Sequence, residues 1–149
     1  MRAVVQRVTS SKVTVDDRVT GEIGKGLMVL IGVEKGDEES DAVYIADKIA
    51  GLRVFDDADG VMNLPITEIG GQVLAVSQFT LLGDARKGKR PSYFNAAGPE
   101  EANGLYRKTV ELLQEKGIHV EEGVFRAEMQ VEIHNDGPVT ILLESHRQF

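Results

Sequence analysis

The sequence contains no cysteine, and this absence removes several kinds of chemistry at once. A chain without thiols has no disulfide framework, no thiolate nucleophile and no cysteine metal site. It also has no run of about 18 apolar residues that could span a membrane, and its start lacks the apolar stretch of a signal peptide. We therefore expect a cytoplasmic protein, not bound to a membrane, whose chemistry depends on other groups.

Motifs for metal sites and for familiar hydrolases are also missing. The three histidines, at 119, 134 and 146, show no H-x-x-x-H or H-E-x-x-H spacing. No serine lies in a G-x-S-x-G motif, although a Ser-His-Asp triad assembled only by the fold stays open. The acidic run 56–60 resembles part of a calcium loop, but Thr67 stands where a bidentate Glu is needed, so we expect a solvated turn. We predict neither a metal nor a cofactor.

Composition and charge describe an ordinary globular chain. With 149 residues, 42% hydrophobic and 28% charged, it fits a single domain over residues 1–149, without linkers or repeats. The net charge of −7 argues against a protein that coats nucleic acid indiscriminately. Any contact with nucleic acid must use a local patch.

Hydrophobic periodicity separates two helices from a larger number of strands. Because the strands are not interleaved one by one with helices, an α+β fold with mostly antiparallel sheet is predicted over a doubly wound fold. The first half of the chain is predicted to form a hairpin over 13–23 with a turn at 16–17, a buried central strand over 27–33, and a helix from 37 ending before Gly51. A strand over 72–76 runs into 77–81, and a second helix begins at 98 and stops at Gly117. The chain ends in a predicted hairpin with strands 128–134 and 139–144 about a turn at 135–138.

A basic cluster stands out in this acidic chain. Four positive charges fall within five residues: Arg86, Lys87, Lys89 and Arg90. A solvated loop accounts for the cluster as well as a functional role does, but the contrast with the net charge favours phosphate binding. Tyr93 and Phe94 follow, and their rings could stack on bases or pack under the loop.

The segment Ser77-Gln78-Phe79-Thr80 places polar and aromatic residues at the end of an apolar strand, where functional groups are often displayed. In the plainer interpretation, Gln78 and Thr80 face water and Phe79 fills the core. In the functional one, Thr80 is a nucleophile, or backbone N–H groups of this turn stabilise an oxyanion. The plainer interpretation of Gly137-Pro138 is likewise structural, as part of a hairpin turn.

Three segments, in this order, resemble the D-aminoacyl-tRNA deacylase family: MRAVVQRV at 1–8, SQFTL at 77–81 and NDGPVT at 135–140. The similarity spans essentially the whole chain. It implies a barrel-like deacylase fold and a cytoplasmic homodimer with active sites at the subunit interface. The implied activity is chiral proofreading: hydrolysis of the ester joining a D-amino acid to the terminal adenosine of tRNA, and of glycine mischarged on tRNA(Ala).

The resemblance also implies roles for particular residues. The segment 77–80 is the family's active-site motif. Gly137 and Pro138 form a cis pair that enters the partner subunit's site, where main-chain carbonyls reject L-amino acids, and Arg7 helps to hold that pair. The basic cluster would then contact the tRNA.

The chemistry of the substrate is compatible with such a site. An aminoacyl ester is already activated, so positioning, an oxyanion hole and the ribose hydroxyl of the RNA can supply the acceleration. We therefore favour positioning over nucleophilic attack for Thr80. Two other hypotheses are a nucleic-acid-binding module without catalysis and a metal-free esterase for small molecules, which would leave the basic cluster unexplained.

Overall fold

One long strand organises the sheet in the computed structural model, which describes residues 1–149. β1 (Arg2–Val15) pairs on one side with β2 (Arg18–Ile23) and β3 (Gly26–Gly32), both antiparallel. Its other side pairs along nearly its whole length with the C-terminal strand, which we number β8 (Gln130–Glu144). The turn between β1 and β2 lies at the predicted Asp16 and Asp17, whose φ angles are 49° and 63°.

The two helices make the two parallel crossovers of the sheet. α1 (Glu39–Gly51) lies between β3 and β6 (Gln72–Ser77), and α2 (Pro99–Glu115) between β6 and β7 (Val120–Glu122). Parallel neighbours need such crossover connections. The remaining elements are β4 (Phe55–Asp56) paired with β5 (Met62–Leu64), and the 3-10 helices Ile66–Ile69 and Phe79–Leu82.

The sheet is nearly closed on itself. Its order is β2-β1-β3-β6-β7, with β8 on the far side of β1. The hydroxyl of Thr20 on β2 donates to the carbonyl of Glu122 on β7 at 3.4 Å, so the two ends of this order touch. The prediction of a barrel-like α+β fold with mostly antiparallel pairing is confirmed.

Burial follows the periodicity of the sequence. β3 is the central strand, and six of its seven residues are buried, as the continuous apolar run predicts. In α1 the buried residues are Ala42, Ile45, Ala46 and Ile49, one face of a 3.6-residue period. Gly51 is the last residue of α1 rather than the residue after it, because the N–H of Leu52 still donates to the carbonyl of Lys48. Neither helix has the length and apolar character that crossing a membrane would require.

The predicted C-terminal hairpin is wrong. Residues 130–144 form one strand, and both halves pair with β1 in the same direction. The pairs Val8 with Asn135 and Gln6 with Thr140 leave residues 136–139 opposite Arg7 alone, so the chain bulges there without reversing. Alternating segments around an Asn-Asp-Gly-Pro sequence are typical of a hairpin and of a bulge alike, and only the length of β1 decides between them.

The outer edge of β8 has no strand beside it, because β8 pairs with β1 alone. This edge is 15 residues long. Apolar side chains on it are accessible, with Leu142 57% and Ile133 37% exposed. A long edge strand of this kind is open to pairing or coverage by another chain.

Candidate functional site

A cavity of about 750 Å³ opens where β6 ends. Eleven of its 16 lining residues are hydrophobic. They come from the end of β6, the residue after β3, the start of α2 with the segment before it, and the start of β8 with the segment before it. They include Val33, Val76, Ala97, Phe125 and Met129. A mostly apolar cavity of this size with a few polar groups is typical of a small-molecule or cofactor site.

All four residues of the segment 77–80 line this cavity. β6 ends at Ser77, and the chain turns at once into the 3-10 helix that begins at Phe79. The side-chain amide of Gln78 donates to the hydroxyl of Thr80 at 3.0 Å. Phe79 is 55% exposed, so the interpretation in which it fills the core is wrong.

The cavity offers no side chain that could act as a general base. No histidine and no carboxylate lines it, and Arg126 is its one permanently charged residue. The hydroxyl of Thr80 faces an amide donor, which does not remove a proton. The first N–H groups of the 3-10 helix, at Phe79 and Thr80, have no acceptor within that helix and can serve a ligand.

Tyr106 on α2 is buried beside the cavity and contacts residues that lie along its wall. Its side chain is 4% exposed, and its hydroxyl lies 3.1 Å from the carbonyl oxygen of Ala75 and 2.9 Å from a carboxylate oxygen of Glu122. Burial, reinforced by the charge of Glu122, raises the pKa of Tyr106 far above its usual range, so the phenol stays neutral. Its ring stacks on Phe125, which lines the cavity, with the centroids 6.5 Å apart.

Sequence reasoning found the segment 77–80 and missed much of the opposite wall. The sequence pattern places Tyr106 only on the apolar face of a helix, and Phe125 and Arg126 fall in a stretch without periodicity. No spacing signal could have placed them at the cavity, since the crossover through α2 brings them there.

The basic cluster lies in a loop next to the cavity. Asp84 and Ser92 exchange two backbone hydrogen bonds, of 2.8 and 2.9 Å, which close the loop that carries it. Tyr93 follows Ser92, lines the cavity and packs edge-on against Phe79 with the ring centroids 5.2 Å apart. The loop is therefore anchored at the cavity rim.

The four cations of the cluster are not equivalent. Arg86 donates from Nε and Nη2 to the two carboxylate oxygens of Asp84, at 2.9 and 2.6 Å. These hydrogen bonds from the Arg86 side chain hold the pKa of Asp84 well below its usual range. Lys87, Lys89 and Arg90 form no salt bridge and remain available to an anion.

Arg7 and Gly137 lie together at the bulge of β8. The buried guanidinium of Arg7 donates to the carbonyl of Val54 at 2.7 Å and to that of Asp136 at 3.3 Å. The amide of Asn135 spans the bulge, donating to the carbonyls of Arg7 and Val139 at 2.9 and 3.0 Å. The bond between Gly137 and Pro138 is cis, as the family resemblance implies.

The bulge is remote from the cavity of its own chain. Val131 lines the cavity and pairs with Val13, whereas the bulge stands opposite Arg7, six residues away along β1. At about 3.3 Å per residue this separation is roughly 20 Å. The fold brings Arg7 to Gly137 and places both at a distance from this wall of the cavity.

Two acidic groups contain the residue types of a metal site. In the turn at 56–60, one carboxylate oxygen of Asp57 accepts hydrogen bonds from the N–H groups of Asp59 and Val61, at 2.9 and 3.1 Å, so the turn is stabilised internally.

The second group is a cluster of residues that sequence spacing did not connect. His146 lies 3.1 Å from Asp37, which binds the N-terminal ammonium at 2.8 Å. Asp37 therefore already has a cationic partner, and its ion pair with the N-terminus accounts for its place in the cluster.

Comparisons with known proteins agree along the whole chain. The family model described as D-Tyr-tRNA(Tyr) deacylase matches residues 4–144. A D-aminoacyl-tRNA deacylase from Anaeromyxobacter dehalogenans is 62% identical over 149 residues, which is 100% of both chains. One from Thermotoga petrophila is 56% identical over the same full lengths.

Solved structures are similar as well. A c-Myc DNA Unwinding Element Binding Protein superposes with a TM-score of 0.91 at 40% identity, covering 97% of this chain and 98% of the other. A probable eukaryotic D-amino acid tRNA deacylase has a TM-score of 0.79 at 15% identity, covering 95% and 97%, and shows the fold alone.

Proposed function

Since the chain belongs to the D-Tyr-tRNA(Tyr) deacylase family and is a hydrolase of D-aminoacyl-tRNA, we propose that it cleaves the ester between a D-amino acid and the terminal adenosine. The products are the free amino acid and tRNA. Glycine mischarged on tRNA(Ala) is a second substrate, because glycine has no side chain to be rejected. The enzyme acts as a cytoplasmic homodimer in chiral proofreading.

The observation that carries this proposal is the cavity, which has Ser77, Gln78, Phe79 and Thr80 on its wall. Its apolar lining suits a nucleobase and its sugar, and the polar segment 77–80 suits the ester. The free cations of the neighbouring loop suit the phosphates of the same molecule. A small ester would make no use of those cations, which is why the tRNA ester is favoured over a small-molecule esterase.

Catalysis in this proposal depends on positioning. The ester carbonyl lies against the N–H groups at the start of the 3-10 helix, which stabilise the developing oxyanion. Water attacks the ester carbonyl, the bond from that carbon to the ribose oxygen breaks, and a proton of the water passes to the leaving ribose oxygen. The ribose hydroxyl beside the ester assists this proton transfer, so that the protein need not supply a base, and none lines the cavity. Gln78 and Thr80, hydrogen-bonded to each other, orient the aminoacyl group.

Selection against L-amino acids comes from a second subunit. The separation of roughly 20 Å along β1 between the bulge and the cavity residue Val131 supports a site completed by the partner's Gly137. The unpaired edge of β8 supports the association of two copies. Main-chain carbonyls on a bulge held by Arg7 cannot rotate away, so they exclude one enantiomer by steric clash.

The proposal is tested by following the decay of three substrates with and without enzyme: D-tyrosyl-tRNA, L-tyrosyl-tRNA and glycyl-tRNA(Ala). We expect rapid loss of the D-aminoacyl and glycyl esters and no acceleration for the L-aminoacyl ester. Binding of all three without hydrolysis would instead support a nucleic-acid-binding module. Equal hydrolysis of both enantiomers would contradict chiral selection.

Replacing Thr80 by alanine tests the positioning role. We expect Thr80→Ala to lower kcat/KM for D-tyrosyl-tRNA by less than about 10-fold, because the loss is that of one hydrogen bond. Thr80→Ser, which keeps the hydroxyl, should approach the wild-type rate. Rapid-quench mass spectrometry should find no acyl-enzyme. Complete loss of turnover in Thr80→Ala, or an ester trapped on Thr80, would assign the hydroxyl as nucleophile.

Neutralising Lys87 and Lys89 tests the loop. In Lys87→Gln/Lys89→Gln, tRNA binding should weaken, and the slope of log affinity against log salt concentration should flatten by about 1.5, since fewer counterions are released. The rate on saturating substrate should change little. Lys25→Gln is the control, because this residue lies at the opposite end of β6, where its carbonyl accepts the N–H of Gln72. An unaltered slope in the double variant would show that the loop does not contact phosphates.

A further inference from the structure

Phe94 has no structural role that explains its position. It is 76% exposed, more than any other aromatic side chain of the protein, whereas the neighbouring Tyr93 packs against Phe79. Exposing large apolar rings to water is unfavourable. Phe94 forms an exposed patch with Phe79 and Tyr93 at the cavity, and such a patch marks an interaction site.

The backbone beneath Phe94 is held firmly. Phe94 lies in a turn closed by a hydrogen bond from the N–H of Ala96 to the carbonyl of Tyr93 at 3.1 Å. The N–H of Lys35 donates to the carbonyl of Asn95 in this turn at 2.9 Å. Because Tyr93 and Ala96 both line the cavity, the ring of Phe94 is displayed from a fixed point on its rim.

A cation covers one face of this ring. The ammonium of Lys35 lies 3.9 Å from the ring centroid, a cation–π contact. Lys35 forms no salt bridge. The opposite face of the ring is accessible, and the free cations of the neighbouring loop, Lys87, Lys89 and Arg90, are joined to this turn through Ser92 and Tyr93.

We propose that Phe94, with Lys35 behind it, is a stacking platform for an unpaired base of the tRNA 3′ end, next to the terminal adenosine in the cavity. An aromatic face together with nearby free cations matches a base and its phosphate, and stacking of this kind tolerates any base. A second copy of this chain spreads a net charge of only −7 over 149 residues, whereas RNA carries one negative charge per nucleotide, so RNA matches these free cations better. The assignment rests on the proposed function, since it takes aminoacyl-tRNA as the ligand.

The absence of tryptophan from the chain allows a direct binding test. Phe94→Trp introduces the one indole of the protein at the platform, and its fluorescence should be quenched when deacylated tRNA or the trinucleotide CCA is titrated in. Phe149→Trp is the matched control, because Phe149 is also exposed, at 63%, but lies at the C-terminus. Quenching in Phe94→Trp alone supports the platform, and equal or absent quenching in both variants overturns it.

A kinetic comparison separates stacking from damage to the cavity. Phe94→Ala should raise KM for D-tyrosyl-tRNA by about 10-fold, the effect of losing one base–aromatic stack. The rise should be much smaller for D-tyrosyl-adenosine, which ends at the terminal nucleoside, and Phe94→Tyr should restore binding of the tRNA substrate. Equal losses on the two substrates, or a change of oligomeric mass in sedimentation, would overturn the platform in favour of a structural or protein-contact role. Failure of the wild type to hydrolyse D-tyrosyl-tRNA would instead contradict the proposed function.

Discussion

Gly137→Ala is expected to lower kcat/KM for D-aminoacyl-tRNA by about 100-fold or more while the chain remains folded. Gly137 has φ of +116°, a conformation that side-chain-bearing residues rarely adopt. A Cβ there would lie 2.7 Å from Nη2 of Arg7 and 3.0 Å from a methyl carbon of Val139. The bulge must shift to relieve these contacts, and a shift of about 1 Å at a selecting carbonyl is costly to catalysis. Single-turnover rates measured with D-tyrosyl-tRNA check this.

A control separates the backbone effect from the loss of function. Gly117 also has a positive φ, of +83°, but a Cβ there would meet nothing within 4 Å. Gly117→Ala should therefore show a similar conformational cost, about 1 to 3 kcal/mol of stability, with nearly unchanged turnover. If both variants lose stability equally and Gly137→Ala retains its activity, the bulge has no part in the site.

Mixing two inactive variants should restore activity if the bulge works in the partner's cavity. Gly137→Ala leaves the cavity intact, and Thr80→Trp fills it from an exposed position while leaving the bulge intact. A mixed dimer then has one unblocked cavity facing one unaltered bulge. After dissociation and random re-pairing, about half of the dimers are mixed with one working site each, so about a quarter of the wild-type activity should return.

Two variants in the same cavity provide the control for this experiment. Thr80→Trp mixed with Ala97→Trp, another cavity-lining substitution, should remain inactive because both cavities are blocked. Native mass spectrometry with a tag on one chain confirms that mixed dimers form. If the Gly137→Ala and Thr80→Trp mixture contains mixed dimers but regains no activity, the two motifs do not meet across an interface.

The local order of apolar and polar residues was sufficient to predict most of the fold, because it shows which residues of an element are buried. The continuous apolar run of β3 and the 3.6-residue period of the four buried residues of α1 are both local signals, so the positions of these elements followed from the sequence. The end of the chain was mispredicted because its course depends on a distant partner. Residues 136–139 bulge only because β1 is long enough to pair with both halves of β8.

Some residues of the candidate site could likewise be predicted from local sequence, and others could not. The segment 77–80 stands at the end of an apolar strand, a position visible in the sequence, and all four residues line the cavity. Phe125 and Arg126 reach the cavity through the crossover that α2 makes, and Lys35 reaches Phe94 through a hydrogen bond between distant loops. The spacing of residues along the sequence does not indicate contacts of this kind. The family resemblance supplied the roles predicted for Arg7 and Gly137. Periodicity alone assigns Gly137 to an ordinary hairpin turn and gives Arg7 no role beyond its place in a strand.

The unpaired edge of β8 makes the monomer prone to aggregation. A strand of 15 residues with accessible Leu142 and Ile133 is a template for uncontrolled strand addition, the first step of aggregation. If the proposed dimer covers this edge, one contact both completes the catalytic site and protects the chain. Damage to that contact would then reduce proofreading in the cell chiefly by depleting the protein through aggregation and degradation, and only secondarily by leaving an inactive soluble monomer.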